Sequence, residues 1–186
     1  MKKSLLLILV LSLSISTYAQ KEHMKFMGIP LNGTITQFQQ KLVTKGFSLY
    51  REMNKITPAG TRVFKGTFTG RKSTVAVYYN ERTNVVYGAK AFFDNLDKNN
   101  ADEEFDRMKN LLHEKYIFAS YSDEEKDGLK KTYIYNIQGD LGEISVYQRK
   151  ASDEFSINYP FIYSVHIEYT DYKNYNKNRN SQLDDL

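Results

Sequence analysis

The chain has no cysteine, no tryptophan and only three prolines in 186 residues. Without thiols there are no disulfides, thiolate zinc sites, iron–sulfur clusters or cysteine nucleophiles. An ordinary apolar core must therefore hold the fold, and a chain of this size buries roughly two-thirds of its unfolded surface. A strong charge of one sign is also missing. The formal net charge is +4, and basic and acidic residues alternate along the chain. Nucleic acid calls for a concentrated basic face, so it is not an expected partner.

No apolar run reaches the about 20 residues that cross a bilayer. The apolar stretch Leu5 to Ile15 is shorter, follows Lys2 and Lys3, and leads into Thr17-Tyr18-Ala19. Basic start, short apolar centre and small residues at the cleavage positions describe a secretory signal peptide. Cleavage is expected after Ala19. The mature chain then begins at Gln20, loses two lysines (net charge +4 falling to +2) and keeps no integral membrane segment. The expected location is the periplasm or the exterior. Residues Lys21 to Lys25 read as a loose polar leader.

What the chain does have is clear periodicity. Thr34 and Gln37 stand at capping-box spacing, and Ile35, Phe38 and Leu42 fall on one helical face. Gly46 suits the left-handed residue that ends a helix. The period then changes to two: Phe64, Gly66 and Phe68; Val75, Val77 and Tyr79; Val85 through Phe93. Turn chemistry at Thr69-Gly70-Arg71-Lys72 and Asn80-Glu81-Arg82-Thr83 separates these strands. A second helix is expected from Asn99 or Asn100, with Asp102, Glu103 and Glu104 in its first turn and an apolar face of Phe105, Met108 and Leu112. Strands follow at Ile117–Tyr121, Thr132–Ile137, Glu143–Arg149 and Phe161–Tyr169, with a turn at Gly139–Gly142. Tyr172 to Leu186 is polar and Asn-rich, and reads as a frayed or disordered tail.

The two halves resemble each other. Ile35, Phe38 and Leu42 align with Phe105, Met108 and Leu112. Gly70, Val75, Val77 and Tyr78 align with Gly139, Ile144, Val146 and Tyr147, and Tyr87 and Phe93 with Tyr163 and Tyr169. The expected class is therefore α+β: two tandem repeats, 20–95 and 96–171, each a helix followed by about four antiparallel strands. The helices should cover one face of the sheet and leave the other to water or a partner.

The phrase Phe26-Met27-Gly28-Ile29-Pro30-Leu31-Asn32-Gly33, running on to Lys45-Gly46-Phe47, resembles the opening of small exported proteins of unknown function from Gram-negative gut bacteria. The Tyr18-Ala19-Gln20 junction is similar to theirs as well. The layout is similar to beta-lactamase-inhibitor-like and PepSY-like folds, whose members tend to bind or inhibit other proteins. The resemblance brings no catalytic residues with it.

Candidate sites are few. Gly28 and Gly33 beside a helix N-terminus suggest an anion site, but Thr34 and Gln37 satisfy the same N–H groups, and capping is the stronger reading. "GTFTGRKS" mimics a phosphate loop, but Arg71 breaks its spacing and a hairpin surrounds it. The acidic run Asp123 to Asp127 lacks the alternation and central glycine of a calcium loop, and reads as a solvated turn. His23, His113 and His166 are dispersed, so no metal site is expected. Ser164, His166 and Glu168 share a strand face, but a triad also needs an oriented nucleophile and an oxyanion hole. The compositional excess is aromatic: 15 Tyr and 11 Phe. Tyrosine joins an apolar ring to a polar tip and is favoured at recognition surfaces, although strands favour it too. Tyr78, Tyr147, Tyr163 and Tyr169 are the candidate binding residues. The expected function is a non-enzymatic module, without a cofactor, that binds a protein or peptide. Glycan or small-ligand binding is the alternative, and a Ser164–His166–Glu168 enzyme ranks last.

Overall fold

The computed structural model describes residues 23–116, 121–126, 129–135, 141–150 and 163–183, with backbone alone for 121–126 and 129–135. The chain is α+β. A two-stranded hairpin, β1 (Lys25–Phe26) and β2 (Ile29–Pro30), leads into α1 (Ile35–Thr44). Short β3 (Ser48–Leu49) and α2 (Arg51–Asn54) precede the meander β4 (Thr61–Phe68), β5 (Arg71–Tyr79) and β6 (Val86–Leu96). Helix α3 (Lys98–Lys115) precedes β7 (Tyr121–Lys126), β8 (Leu129–Tyr135), β9 (Gly142–Lys150) and β10 (Tyr163–Asp171), and α4 (Tyr172–Leu183) follows. The large sheet has eight strands in the order β3-β4-β5-β6-β10-β9-β8-β7, each neighbour antiparallel.

Local chemistry sets the first helix as expected. Gln37 N–H donates to Thr34 Oγ1 and Thr34 N–H to Gln37 Oε1, which closes the capping box. Ile35, Phe38 and Leu42 are buried, and Gly46 takes φ +87° just past the helix end. Thr69 and Gly70 both have positive φ, the geometry of a two-residue hairpin turn between β4 and β5.

One core lies between the sheet and helices α1 and α3. Alternation sends Val75, Val77, Ala89, Ala91, Phe93, Ile144, Val146, Val165 and Ile167 into it. The β1–β2 hairpin adds Phe26, whose ring stacks on Phe68 at 5.4 Å and meets Tyr169 edge-on at 5.3 Å. Gly142 is required where β9 meets β10, because a Cβ there would collide with the Thr170 carbonyl.

Four expectations need correction. The leader is not loose from His23 onward: Met24 is buried, and its N–H donates to Asp171 Oδ2 at 2.9 Å. Helix α3 starts two or three residues earlier, because Asp97 is the cap and its Oδ1 accepts from Asn100 N–H at 2.9 Å. Glu104 then leaves the first turn and is buried, paired with Arg71 (2.9 Å) and with Arg107, which also donates to the Thr69 carbonyl. This clasp ties α3 to the β4–β5 turn. The acidic run 123–126 is not a turn but most of β7, at the sheet edge, where charged residues discourage unwanted pairing. The polar tail is not frayed over 172–183: it is α4. Asp171 Oδ1 caps it by accepting Asn174 N–H at 3.0 Å, and buried Asn174 Nδ2 donates to the carbonyls of Leu31 and Val86. The expected turn at Gly139–Gly142 and the strand residues 117–120 and 136–137 fall wholly or partly outside the described residues.

Asp171 thus holds the chain entry, β10 and α4 together. Asp171→Ala strands the buried Met24 N–H and uncaps α4, and should lower stability by about 2–4 kcal/mol in urea denaturation. A loss under about 0.5 kcal/mol, the range of an ordinary surface change, would refute this role.

Candidate binding face

The sheet face opposite α1 and α3 is built from the alternate positions of the same strands. Thr74, Ala76 and Tyr78 come from β5, Gly88, Lys90 and Phe92 from β6, Ser164, His166 and Glu168 from β10, and Ser145, Tyr147 and Arg149 from β9. Register places Phe92 opposite His166, and His166 opposite Tyr147. The three rings form a stack across three strands, with centroids 5.6 Å apart for Phe92–His166 and 4.7 Å for His166–Tyr147. The exposed Arg149 guanidinium lies 5.1 Å over the Tyr147 ring.

A second row sets Lys90 directly opposite Glu168. Lys90 Nζ stands 5.6 Å from the Tyr78 ring centre, and Tyr147 Oη donates to Glu168 Oε2 at 3.0 Å. Burial lowers the Lys90 ammonium, while Glu168 opposes that shift. Burial, then the Glu168 charge, raises the Tyr78 and Tyr147 phenols above their ordinary range. An irregularity in the β5–β6 ladder beside Tyr78 lets Tyr87 stack on it at 6.2 Å, and Tyr175 of α4 meets Tyr87 edge-on.

Of the four tyrosines singled out in the sequence, Tyr78 and Tyr147 have the parity of this face, where Tyr78 is half-buried and Tyr147 is 6% exposed. Tyr163 and Tyr169 do not join them. They share the parity of Val165 and Ile167, so Tyr169 is a core residue, 5% exposed, and Tyr163 packs against the core. That parity was readable in the sequence. Phe92, Lys90 and Arg149 carried no such signal, because only the cross-strand register makes them neighbours.

Ser164 Oγ and His166 Nε2 share a hydrogen bond of 2.8 Å. A triad would place a carboxylate on Nδ1. Here Glu168 is bonded to Tyr147, and Nδ1 is buried with no partner among the described residues. Burial, reinforced by the Lys90 and Arg149 charges, pushes the imidazole down to about 3, so it is neutral at pH 7. The N–H groups that open α1 are satisfied by its own capping box. Among the described residues no group of three or more His, Asp or Glu is placed to hold a metal ion, and no helix is long and apolar enough to cross a membrane. Two concave regions lie elsewhere. One is an apolar groove of about 380 Å³ between α3 and the sheet, lined by Met27, Phe68, Met108, Leu111 and Tyr169. The other is a polar cleft of about 350 Å³ beside α4.

The imidazole predicts a pH signature. Unfolded, His166 takes up a proton near its ordinary value of about 6.5, but the folded site resists until about 3. The unfolded chain therefore binds the extra proton between those values, and stability falls as pH drops through that window. Melting curves from pH 7 to 4 should show Tm falling more steeply for the native chain than for His166→Phe. Parallel slopes would remove His166 as the cause.

Comparison with protein-family models, curated proteins and solved structures finds no significant match.

Proposed function

We propose that this is an exported, non-enzymatic binding module that engages a protein or peptide through the sheet face opposite α1 and α3. One observation carries the reading. Four adjacent strands set rings and opposite charges side by side there: Tyr78, Phe92 and Tyr147 with Lys90, Arg149 and Glu168. Aromatic and Arg side chains are the groups that dominate binding energy where proteins meet. Their packed stack is already ordered, so little side-chain freedom is lost on binding.

Export is supported by the sequence of the leader. Met24 is anchored to Asp171, so cleavage after Ala19 would leave the described structure whole. The tandem-repeat reading also has support. Strand order runs outward from β6 and β10 in both directions, and a helix precedes four strands on each side. If Tyr87 and Phe93 correspond to Tyr163 and Tyr169, Ala91 corresponds to Ile167. Their ladder partners are Val75 and Val146, which moves the β5–β9 match two residues from Val75–Ile144. The likeness in layout to beta-lactamase-inhibitor-like and PepSY-like folds points the same way, toward protein binding.

The test is affinity capture from solubilised cell envelope of the producing organism, read by mass spectrometry, followed by titration with the purified partner. Tyr78→Ala with Arg149→Ala should weaken binding at least about tenfold, the scale of one hot-spot side chain, in a variant whose cooperative melting shows that it still folds. Absence of any specific partner, or affinity indifferent to the double substitution, would count against this face.

A further inference from the structure

We propose that the polar cleft between α4 and the β5–β6 turn binds a neutral sugar, one or two rings long. This site is separate from the sheet face and does not depend on that reading. The cleft holds about 350 Å³, at the lower end of ligand-sized cavities. Thr61, Glu81, Arg82 and Gln182 provide polar groups, and Tyr79 and Tyr87, whose rings pack against Arg62 and against Tyr78 and Tyr175, complete the lining.

Its walls are held in place from beneath. Asn80 is buried, and its Nδ2 donates across the cleft to Asn178 Oδ1 (2.8 Å) and Ser181 Oγ (3.0 Å) of α4. Its Oδ1 accepts Arg82 N–H and Thr83 N–H, which fixes the turn. Gly60 has φ +75°, and a Cβ there would approach the Tyr79 carbonyl to 3.1 Å. Glycine therefore lets the chain close along the cleft. A site set by such a network is ordered before a ligand arrives.

The composition of α4 is the second observation. Its one buried residue is Asn174, and it brings no apolar stripe to the core. As a packing element it is poorly suited. As a wall it presents the Gln182 amide and Asn178 Nδ2, while Asn178 Oδ1 and Ser181 Oγ are engaged with Asn80 and the Ser181 hydroxyl donates to the Asn178 carbonyl. Sugar hydroxyls need groups that donate and groups that accept, which Gln182, Thr61, Arg82 and Glu81 supply together. Glu81 and Arg82 are of opposite sign, so the lining has no net charge to select an anion or a cation.

Saturation-transfer NMR with the purified protein tests this, using maltose, cellobiose and N,N′-diacetylchitobiose as probes. At least one should receive saturation on its ring protons. Amide shifts should map to 59–61, 79–87 and 178–182. Glu81→Ala and Gln182→Ala, both at exposed residues, should each weaken binding several-fold without changing Tm. No transfer to any of the three, shifts that map elsewhere, or a preference for glucose 6-phosphate over all three would overturn the proposal. Loss of this site would leave protein capture by the sheet face unaffected.

Discussion

The buried carboxylate of Asp171 is the point on which the rest of the structure depends. It is 1% exposed and accepts from Met24 N–H and Asn174 N–H, with His23 Nδ1 3.0 Å away. A buried charge is tolerated only when hydrogen bonds replace its water. Here those bonds come from two segments nearly the whole chain apart. The entry strand and the C-terminal helix are therefore held by the end of β10, a central strand. Without that carboxylate the β1–β2 hairpin loses its anchor, and with it the Phe26 ring loses its seat between Phe68 and Tyr169. A single polar group thus positions part of the apolar core.

Helices α3 and α4 show two ways of fixing a helix to one sheet. Helix α3 buries Phe105, Met108 and Leu112, and locks its orientation with the Glu104 clasp to Arg71 and Arg107. Both arginines are partly exposed, so the net gain from the clasp is modest, but its geometry fixes where α3 meets the β4–β5 turn. Helix α4 has no apolar stripe and relies on Asp171, Asn174 and Asn80. Directional bonds, with one ring contact from Tyr175 to Tyr87, hold it in place of an apolar stripe.

This contrast explains what could be read in the sequence. The first helix was legible because its capping box and its Ile35–Phe38–Leu42 stripe are local signals. The meander was legible through period-two alternation and the Thr69-Gly70 turn. Helix α4 was not, because its support comes from residues far away in sequence. The start of α3 is ambiguous in the sequence because Asp97, Asn99 and Asn100 are all competent caps, and the bond that Asp97 accepts from Asn100 N–H decides it. The acidic run lacks the apolar alternation that marks a strand, and only its ladder with β8 at the sheet edge reveals one. On the candidate face, parity alone separates Tyr78 and Tyr147 from Tyr163 and Tyr169. It does not reveal that Phe92, His166 and Tyr147 stand in one row, since that follows from long-range register.

The polar atoms of that row bear on how the face is used. Three buried side-chain atoms lack a partner among the described residues: Ser73 Oγ, Gln148 Oε1 and His166 Nδ1. Ser73 and Gln148 share parity with core residues. His166 alone belongs to the face, where a Phe would keep the stack and give up only the bond to Ser164 Oγ. An unpartnered buried nitrogen costs about 1–3 kcal/mol. Its neighbours make it worse, since Lys90 and Arg149 oppose its protonation. Nothing in the packing of the sheet asks for an imidazole at that position. A local departure from a self-consistent fold is most economically explained by a role at a site. Under the proposed function, a peptide or protein group that reaches this buried Nδ1 as its hydrogen-bond partner would complete the imidazole's bonding.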